Sequence, residues 1–192
     1  MKKVLIPIII LVVVLGAGAT AAIGNYNGFV GLEEDVNESQ AQIENQLQRR
    51  QNLIPNLVES VKGFANQEKE IIQSVTDARE NLAGANSIEE QAQADTELSG
   101  ALSRLLVVVE NYPELKSNEN FQQLSDELAG TENRIAVARR DYNATVGEFN
   151  RKTKSFPGSL TAGAFGFEEK SYFKADARAT EVPAVNFGSD KE

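Results

Sequence analysis

The first pattern along the chain is an uncharged apolar run from Val4 to Ile23, which follows two lysines and precedes a polar, acidic remainder. About 20 apolar helical residues cross the roughly 30 Å hydrocarbon core of a bilayer, so the run predicts a membrane anchor over residues 1–24. A cleaved secretory signal is the alternative, because the basic start and the small residues from Ala17 to Ala22 also fit that pattern. We expect a retained anchor, because the apolar run continues beyond those small residues.

Four helical patterns follow, over about residues 25–52, 55–84, 87–112 and 119–155. In the first, apolar residues recur three, four or seven positions apart and so share one helix face. They are Phe29, Leu32, Val36, Ile43 and Leu47. Ser87 and Glu90 have the spacing of a capping box, which predicts the start of the third helix.

The boundary between the first two helices is predicted at Pro55. Proline removes a backbone donor and disfavours helical geometry at the preceding residue, Ile54. The alternative is one helix from Asn25 to Gly84, which the in-phase apolar stripe favours but which would be about 90 Å long. We expect a break.

Helices of these lengths with short connections predict an all-α fold, in which an antiparallel up-and-down four-helix bundle follows one N-terminal transmembrane helix. Residues 156–192 predict an irregular aromatic-rich tail with short extended pieces at Ala164–Phe167 and Val182–Phe187. Because aromatic rings favour burial, the tail rings are candidates for packing on their own bundle or for contacts in an oligomer. The candidate oligomer contacts are Phe165, Phe167, Tyr172, Phe173 and Phe187.

Composition excludes several function classes. The chain has no Cys and no His, which removes thiol nucleophiles, disulfides, lipidated cysteine, the usual zinc sites and imidazole catalysis. Its formal net charge of -9 opposes binding to nucleic acid. We expect no enzymatic activity, no cofactor and no nucleic-acid partner.

Charge also predicts the orientation. Lys2 and Lys3 precede the apolar run, whereas Glu33, Glu34 and Asp35 follow it. The positive-inside rule then predicts a single-pass membrane protein with its N-terminus in the cytoplasm and the helical domain outside.

Polar residues at the predicted membrane-proximal end of the bundle form a candidate cluster. An up-and-down order brings the start of the first helix, the end of the second and the end of the fourth together. The residues are Tyr26, Asn27, Arg79, Tyr142, Asn143 and Asn150. We interpret them as a hydrogen-bond network that holds the end of the bundle, rather than as a docking pocket.

The acidic residues after the anchor are a second candidate site. Glu33, Glu34, Asp35 and Glu38 could together bind a divalent cation through their carboxylate oxygens. Their spacing lacks the pattern of a calcium-binding loop, so we interpret them as a solvated face and expect no metal site.

Motifs along almost the whole chain resemble the LemA family of bacterial membrane-anchored helical proteins. They are Tyr26-Asn27, Arg49-Arg50, Asn52 to Val58, Val61 to Ala65, Ala78-Arg79, Glu110 to Lys116, Glu132 to Ala136, Ala138-Arg139, Tyr142-Asn143, Phe149-Asn150 and Phe156-Pro157. The chain departs from the family at Phe64, where Tyr is frequent, and at Gln67, where His is common.

The resemblance implies a left-handed four-helix bundle behind one N-terminal membrane helix. It also implies a non-enzymatic protein, and some family members take part in forming internal bacterial membranes such as magnetosomes. The family has been described with an outside N-terminus, which conflicts with the charge rule that we follow here.

Two functional hypotheses remain. The first is a structural protein that is anchored in the lipid bilayer through residues 4–23 and forms homo-oligomers that organise or shape the membrane. The second is a monomeric or dimeric adaptor domain that binds an envelope protein or peptide.

Overall fold

The computed structural model describes residues 2–65 and 67–174, without the side chains of residues 2–7 and 14, and every regular element in this part of the chain is an α-helix. The helices are α1 (Lys2–Phe64), α2 (Lys69–Gly84), α3 (Ile88–Val109), α4 (Pro113–Lys116), α5 (Glu119–Lys154) and α6 (Gly158–Phe165). The all-α class is therefore confirmed. The up-and-down four-helix bundle, and the division into anchor, bundle and tail, stay predictions.

The contacts divide the chain into two compact units. Of the described residues, the first unit comprises 2–50 and 127–172, and the second comprises 51–65, 67–126 and 173–174. Both α1 and α5 contribute residues to each unit, so each unit contains part of these long helices.

The first unit is built on an antiparallel pair formed by α1 and α5. Ser39 Oγ lies 2.8 Å from Thr145 Oγ1. The rings of Phe29 and Phe149 are also in contact. Residue numbers therefore increase along α1 while those of their partners decrease along α5, so the two helices are antiparallel. The predicted stripe of α1 faces this core, because Phe29, Val36, Ile43 and Leu47 are buried. On α5 the buried residues recur at intervals of three or four and include Ile135, Tyr142, Val146 and Phe149.

The predicted break at Pro55 is wrong, because α1 continues to Phe64. Pro55 has no N–H to donate to the carbonyl of Gln51, four residues earlier. The guanidinium of Arg79 donates to that carbonyl instead, with Nε 2.9 Å from the oxygen. Arg79 therefore supplies the donor that proline lacks, and the apolar stripe stays in phase across Pro55.

The second unit contains the α2–α3 hairpin and α4. Its core includes Val75 and Leu82 of α2, Leu98 and Leu105 of α3, and Leu115 of α4. The predicted capping box is confirmed at Ser87, whose hydroxyl accepts a hydrogen bond from the N–H of Glu90, while the Glu90 carboxylate accepts from the N–H of Ser87.

The tail is not extended throughout, because it contains the eight-residue helix α6. Gly158 begins α6 close to α5, and a side chain at this position would collide with the carbonyl oxygen of Lys152. Gly166 ends the helix in a left-handed conformation with a φ of 77°. The prediction of an extended piece at Ala164–Phe167 is therefore wrong, since Phe165 is helical. The other predicted piece, Val182–Phe187, lies outside the described residues.

We predict an energetic coupling between Arg79 and Pro55. The Arg79→Ala substitution should lower the free energy of unfolding by about 2 kcal/mol, because a carbonyl loses a charged donor. In a Pro55→Ala background the restored N–H of residue 55 can bond to Gln51, so the same substitution should cost less than half as much. Unfolding in detergent, followed by circular dichroism, measures both effects.

A matched control is Arg104→Ala in the same unit, whose exposed guanidinium donates to the hydroxyl of Ser74. Its effect should not depend on residue 55. An equal cost of Arg79→Ala in both backgrounds would show that Arg79 does not compensate for the proline.

Candidate functional site

After α6 the chain packs back onto the first unit. We call residues 167–172 the return segment. The ring of Phe167 stacks on Phe29, with centroids 4.7 Å apart and planes at 13°. It also meets the edge of Phe149, at 6.4 Å and 74°. The return segment thus completes the apolar core at this end of the α1–α5 pair.

Two further rings extend this packing. Tyr26 lies 4.9 Å from Phe165 and 5.8 Å from Phe167, measured between ring centroids. Tyr26, Phe29, Phe149, Phe165 and Phe167 form what we call the aromatic cluster. It connects α1, α5, α6 and the return segment within the first unit.

The backbone of the return segment is held by two buried side chains of α5. Asn150 Nδ2 donates to the carbonyl of Lys170, and Lys170 N–H donates to Asn150 Oδ1, both at 2.8 Å. Tyr142 Oη donates to the carbonyl of Ser171 at 2.9 Å. Because Asn150 and Tyr142 are buried, these bonds satisfy polar groups that water does not reach.

Charged side chains surround the same segment. Lys170 Nζ lies 2.6 Å from Glu33, and Lys154 Nζ lies 2.8 Å from Glu169. Lys152 Nζ lies 4.7 Å from the centroid of the Phe29 ring, a cation–π geometry. Desolvation lowers the pKa of Lys152, whereas the hydrogen bond to Glu169 raises the pKa of Lys154.

The structure brings together part of the predicted polar cluster. Tyr142 and Asn150 both bond to the return segment, and Tyr26 joins the aromatic cluster. Asn27 is exposed and Asn143 is half-buried. Arg79 belongs to the second unit, where it bonds to Gln51. A role for the six residues as one network or as a site stays a prediction.

The candidate oligomer contacts have different surroundings. Phe165 and Phe167 pack in the aromatic cluster, Phe173 is buried, and Tyr172 is partly exposed. Phe187 lies outside the described residues. Packing within the chain thus accounts for Phe167, and a role for these residues between subunits stays a prediction.

The first unit contains a buried charge, and only one arginine of the Arg49-Arg50 pair faces the core, as expected for neighbours about 100° apart on a helix. Arg50 is buried and lies 3.1 Å from Glu132, whereas its neighbour Arg49 is exposed and pairs with Glu127. On α5, burial and the positive charge of Arg50 lower the pKa of Arg139 to about 10. A signal was available, because position 50 continues the stripe of Ile43 and Leu47 at an interval of three.

The same unit has a shallow groove between α1 and α5. Its volume is about 430 Å³, and polar side chains that include Gln42, Gln46, Asn133 and Arg134 line it. Gln46 Oε1 is buried and has no hydrogen-bond partner in the described part of the chain. Within residues 2–65 and 67–174, no group of three or more Asp or Glu residues could hold a metal ion, and Glu33 pairs with Lys170.

Among the described residues, α1 is the one helix that is long and apolar enough to cross a membrane, and its apolar part is N-terminal. The described side chains of this part point away from the rest of the protein, as Ile10, Val12 and Leu15 illustrate by their exposure. A bilayer would cover apolar surface that the chain itself leaves uncovered.

Comparison with known proteins gives matches over most of the chain. The sequence profile of the LemA family matches residues 39–187. The chain is 28% identical over 186 residues to magnetosome protein MamQ 2 of Paramagnetospirillum magneticum, covering 83% of this chain and 68% of that protein. It is 28% identical over 202 residues to magnetosome protein MamQ of Magnetospirillum gryphiswaldense, covering 92% and 74%. It is 24% identical over 173 residues to protein LemA of Metamycoplasma hominis, covering 88% and 77%.

We predict that Asn150 holds the return segment in place. The Asn150→Ala substitution should lower the free energy of unfolding by about 2–3 kcal/mol, because two hydrogen bonds are lost and two backbone groups lose their partner. Asn150→Asp should also be destabilising, because its carboxylate still accepts from Lys170 N–H but buries a charge and places an oxygen against the Lys170 carbonyl. Hydrogen exchange of the Lys170 amide should become faster in Asn150→Ala.

Asn133→Ala, at an exposed position of the same helix, is the matched control and should leave this exchange unchanged. Unaltered exchange in Asn150→Ala would contradict the role assigned to Asn150.

Proposed function

Because the chain belongs to the LemA family, we propose that it is a membrane-anchored, non-enzymatic structural protein that self-associates and thereby organises or shapes the bacterial membrane. Residues 4–23, which we call the span, attach the chain to the bilayer. The helical part of the chain that follows, which we call the body, carries the contacts between copies.

The observation that carries this proposal is the continuity of α1. The helix runs from Lys2 to Phe64 without interruption, which at 1.5 Å per residue is a length of about 95 Å. The apolar span and the helix that packs on α5 are therefore parts of one element. A rotation or tilt of the body is transmitted to the span, which a flexible tether would not do.

The relatives support a role at membranes. Two proteins to which the chain is similar are named magnetosome proteins. The family resemblance implies that some members take part in forming internal membranes. A rigid connection between span and body suits such a role, because an array of bodies then fixes the orientation of many spans.

For orientation, we propose a cytoplasmic N-terminus and a body outside the cytoplasm. Lys2 and Lys3 precede the span, and the first charged residues after it are Glu33, Glu34 and Asp35. Pairing of Glu33 with Lys170 reduces this acidic excess on the body but does not change the asymmetry of the residues that flank the span.

A second candidate function, an adaptor domain, is favoured by the groove between α1 and α5. Gln46 lines this groove, and its buried Oε1, after rotation of the side chain, would accept a hydrogen bond from an N–H of a bound peptide. In that case the body would be monomeric or dimeric and would bind one envelope protein or peptide stoichiometrically.

The mass of the full-length protein extracted in detergent distinguishes the two functions. Self-association predicts particles that contain many copies of the 20.9 kDa chain and no other protein. A monomer or dimer that copurifies with a stoichiometric partner would contradict the scaffold and support the adaptor. Truncation before Phe167 is a poor test, because it removes part of the core of the first unit.

We predict that a flexible glycine-serine linker inserted after Gly24 keeps the protein in the membrane but reduces the mass of the assembly. The linker interrupts α1 between the span and the body, so the two can rotate independently. Membrane fractionation measures attachment, and light scattering in detergent measures the particle mass.

The same linker inserted after Ala85, between α2 and α3, is the control, because it leaves α1 intact. If the assembly keeps its mass with the linker after Gly24, the span is only a tether and the proposed mechanical role is wrong.

A further inference from the structure

Helix α6 has an unusual distribution of side chains. Its small residues Gly158, Thr161 and Ala162 are buried against the first unit. Large apolar side chains of α6 and of the turn before it lie on the outside: Phe156, in the turn, is 81% exposed, Leu160 is 66% exposed and Phe165 is 59% exposed. We call these three residues the α6 patch. A helix on the surface of a water-soluble body normally shows the opposite arrangement.

Charge is also absent from this part of the chain. No Asp, Glu, Lys or Arg occurs between Lys154 and Glu168, although charged residues make up 24% of the sequence. Three basic residues precede the uncharged stretch in the last turn of α5: Arg151, Lys152 and Lys154. Lys154 is paired with Glu169, so the positive charge beside the stretch comes from Arg151 and Lys152. An uncharged apolar surface beside cationic side chains is typical of segments that lie at the surface of a membrane.

The position of the α6 patch follows from the aromatic cluster. Phe165 contacts Tyr26 of α1, with ring centroids 4.9 Å apart. Tyr26 lies three residues after Ile23, where the apolar run ends, a rise of about 4.5 Å along the helix. Tyrosine is also enriched where transmembrane helices leave the bilayer. Since Tyr26 and α6 belong to the same compact unit, α6 lies level with the end of the span.

We propose that the α6 patch inserts into the boundary between headgroups and acyl chains, in the leaflet from which α1 emerges. The inference rests on the membrane anchor of the proposed function and adds a second contact with the same bilayer. One helix crosses the membrane, and α6 lies along its surface. Together they fix the tilt of the body relative to the membrane.

The alternative occupant is a second copy of the chain. Continuity favours lipid, because the α6 patch adjoins the exposed apolar surface of α1 at the same end of the unit. Other exposed apolar side chains, such as Val107 and Val137, lie on α3 and α5 and flank no apolar span.

The absence of tryptophan from the sequence allows a direct test with the full-length protein. Single substitutions Phe156→Trp and Leu160→Trp report on the α6 patch. The protein is reconstituted in vesicles of phosphatidylcholine and phosphatidylglycerol, in which the phosphatidylcholine is brominated either near the headgroup or near the end of the acyl chains. Bromine quenches tryptophan fluorescence only on contact, so the two lipids report depth.

Two further substitutions serve as references. Val13→Trp, at a residue 63% exposed in the apolar run, reports the anchor itself and should be quenched most by the deeply brominated lipid. Val137→Trp, at an exposed residue of α5 about 26 Å from the end of that helix, should not be quenched by either lipid. Circular dichroism checks that all variants keep their helical content.

We expect Phe156→Trp and Leu160→Trp to lose most of their fluorescence with the lipid brominated near the headgroup and less with the other. Unquenched tryptophan at both positions, with Val13→Trp still quenched, would overturn the α6 inference and leave the anchor standing. An unquenched Val13→Trp would overturn the anchor and the inference together. Emission at shorter wavelength without quenching, dependent on the protein-to-lipid ratio, would show that another copy covers the patch and would also overturn the inference.

Discussion

The stacking of Phe167 on Phe29 is the interaction on which the first unit of this protein depends. It brings the return segment onto the α1–α5 pair, where Asn150 and Tyr142 then bond to the backbone of residues 170 and 171. The same packing fixes α6 beside Tyr26. Without it, neither the ion pair between Lys170 and Glu33 nor the position of α6 near the end of the apolar run would follow from α1 and α5 alone.

The features that sequence reasoning predicts correctly are those with a local or periodic signal. The stripe of Phe29, Val36 and Ile43 faces the core, and the capping box at Ser87 is formed by residues three positions apart. The in-phase apolar stripe does signal that α1 continues past Pro55, but the donor that compensates for the proline has no local signal, because Arg79 lies 28 residues after Gln51, whose carbonyl it binds. Helix α6 is too short and too rich in small residues to show a period. Asn150 can be named as a candidate from the sequence. Its partner cannot, because Asn150 bonds to the backbone of Lys170, and any residue has the same backbone groups.

Buried charges on apolar stripes are a signal that the sequence does contain. Arg50 continues the stripe of α1, and Asp95, which is buried in α3, lies between the buried residues Ala92 and Leu98. Desolvation is the main reason that the pKa of Arg50 is lowered, and Glu132 partly offsets this effect. Burial of such groups costs free energy unless they are paired, so a charged residue in phase with a stripe indicates a specific interaction rather than a solvated face.

The link between Glu33 and Lys170 spans 137 positions of the chain. A ribosome releases the N-terminal segments first, so α1 leaves the ribosome well before the residues that complete its aromatic packing have been synthesised. During that interval the surface around Phe29 has no ring from the return segment to cover it, and closing so large a loop is among the slower kinds of contact formation. With the span held in a bilayer as proposed, the last stage of folding in the first unit takes place beside lipid, and the lipid surface is then part of the environment in which this protein acquires its structure.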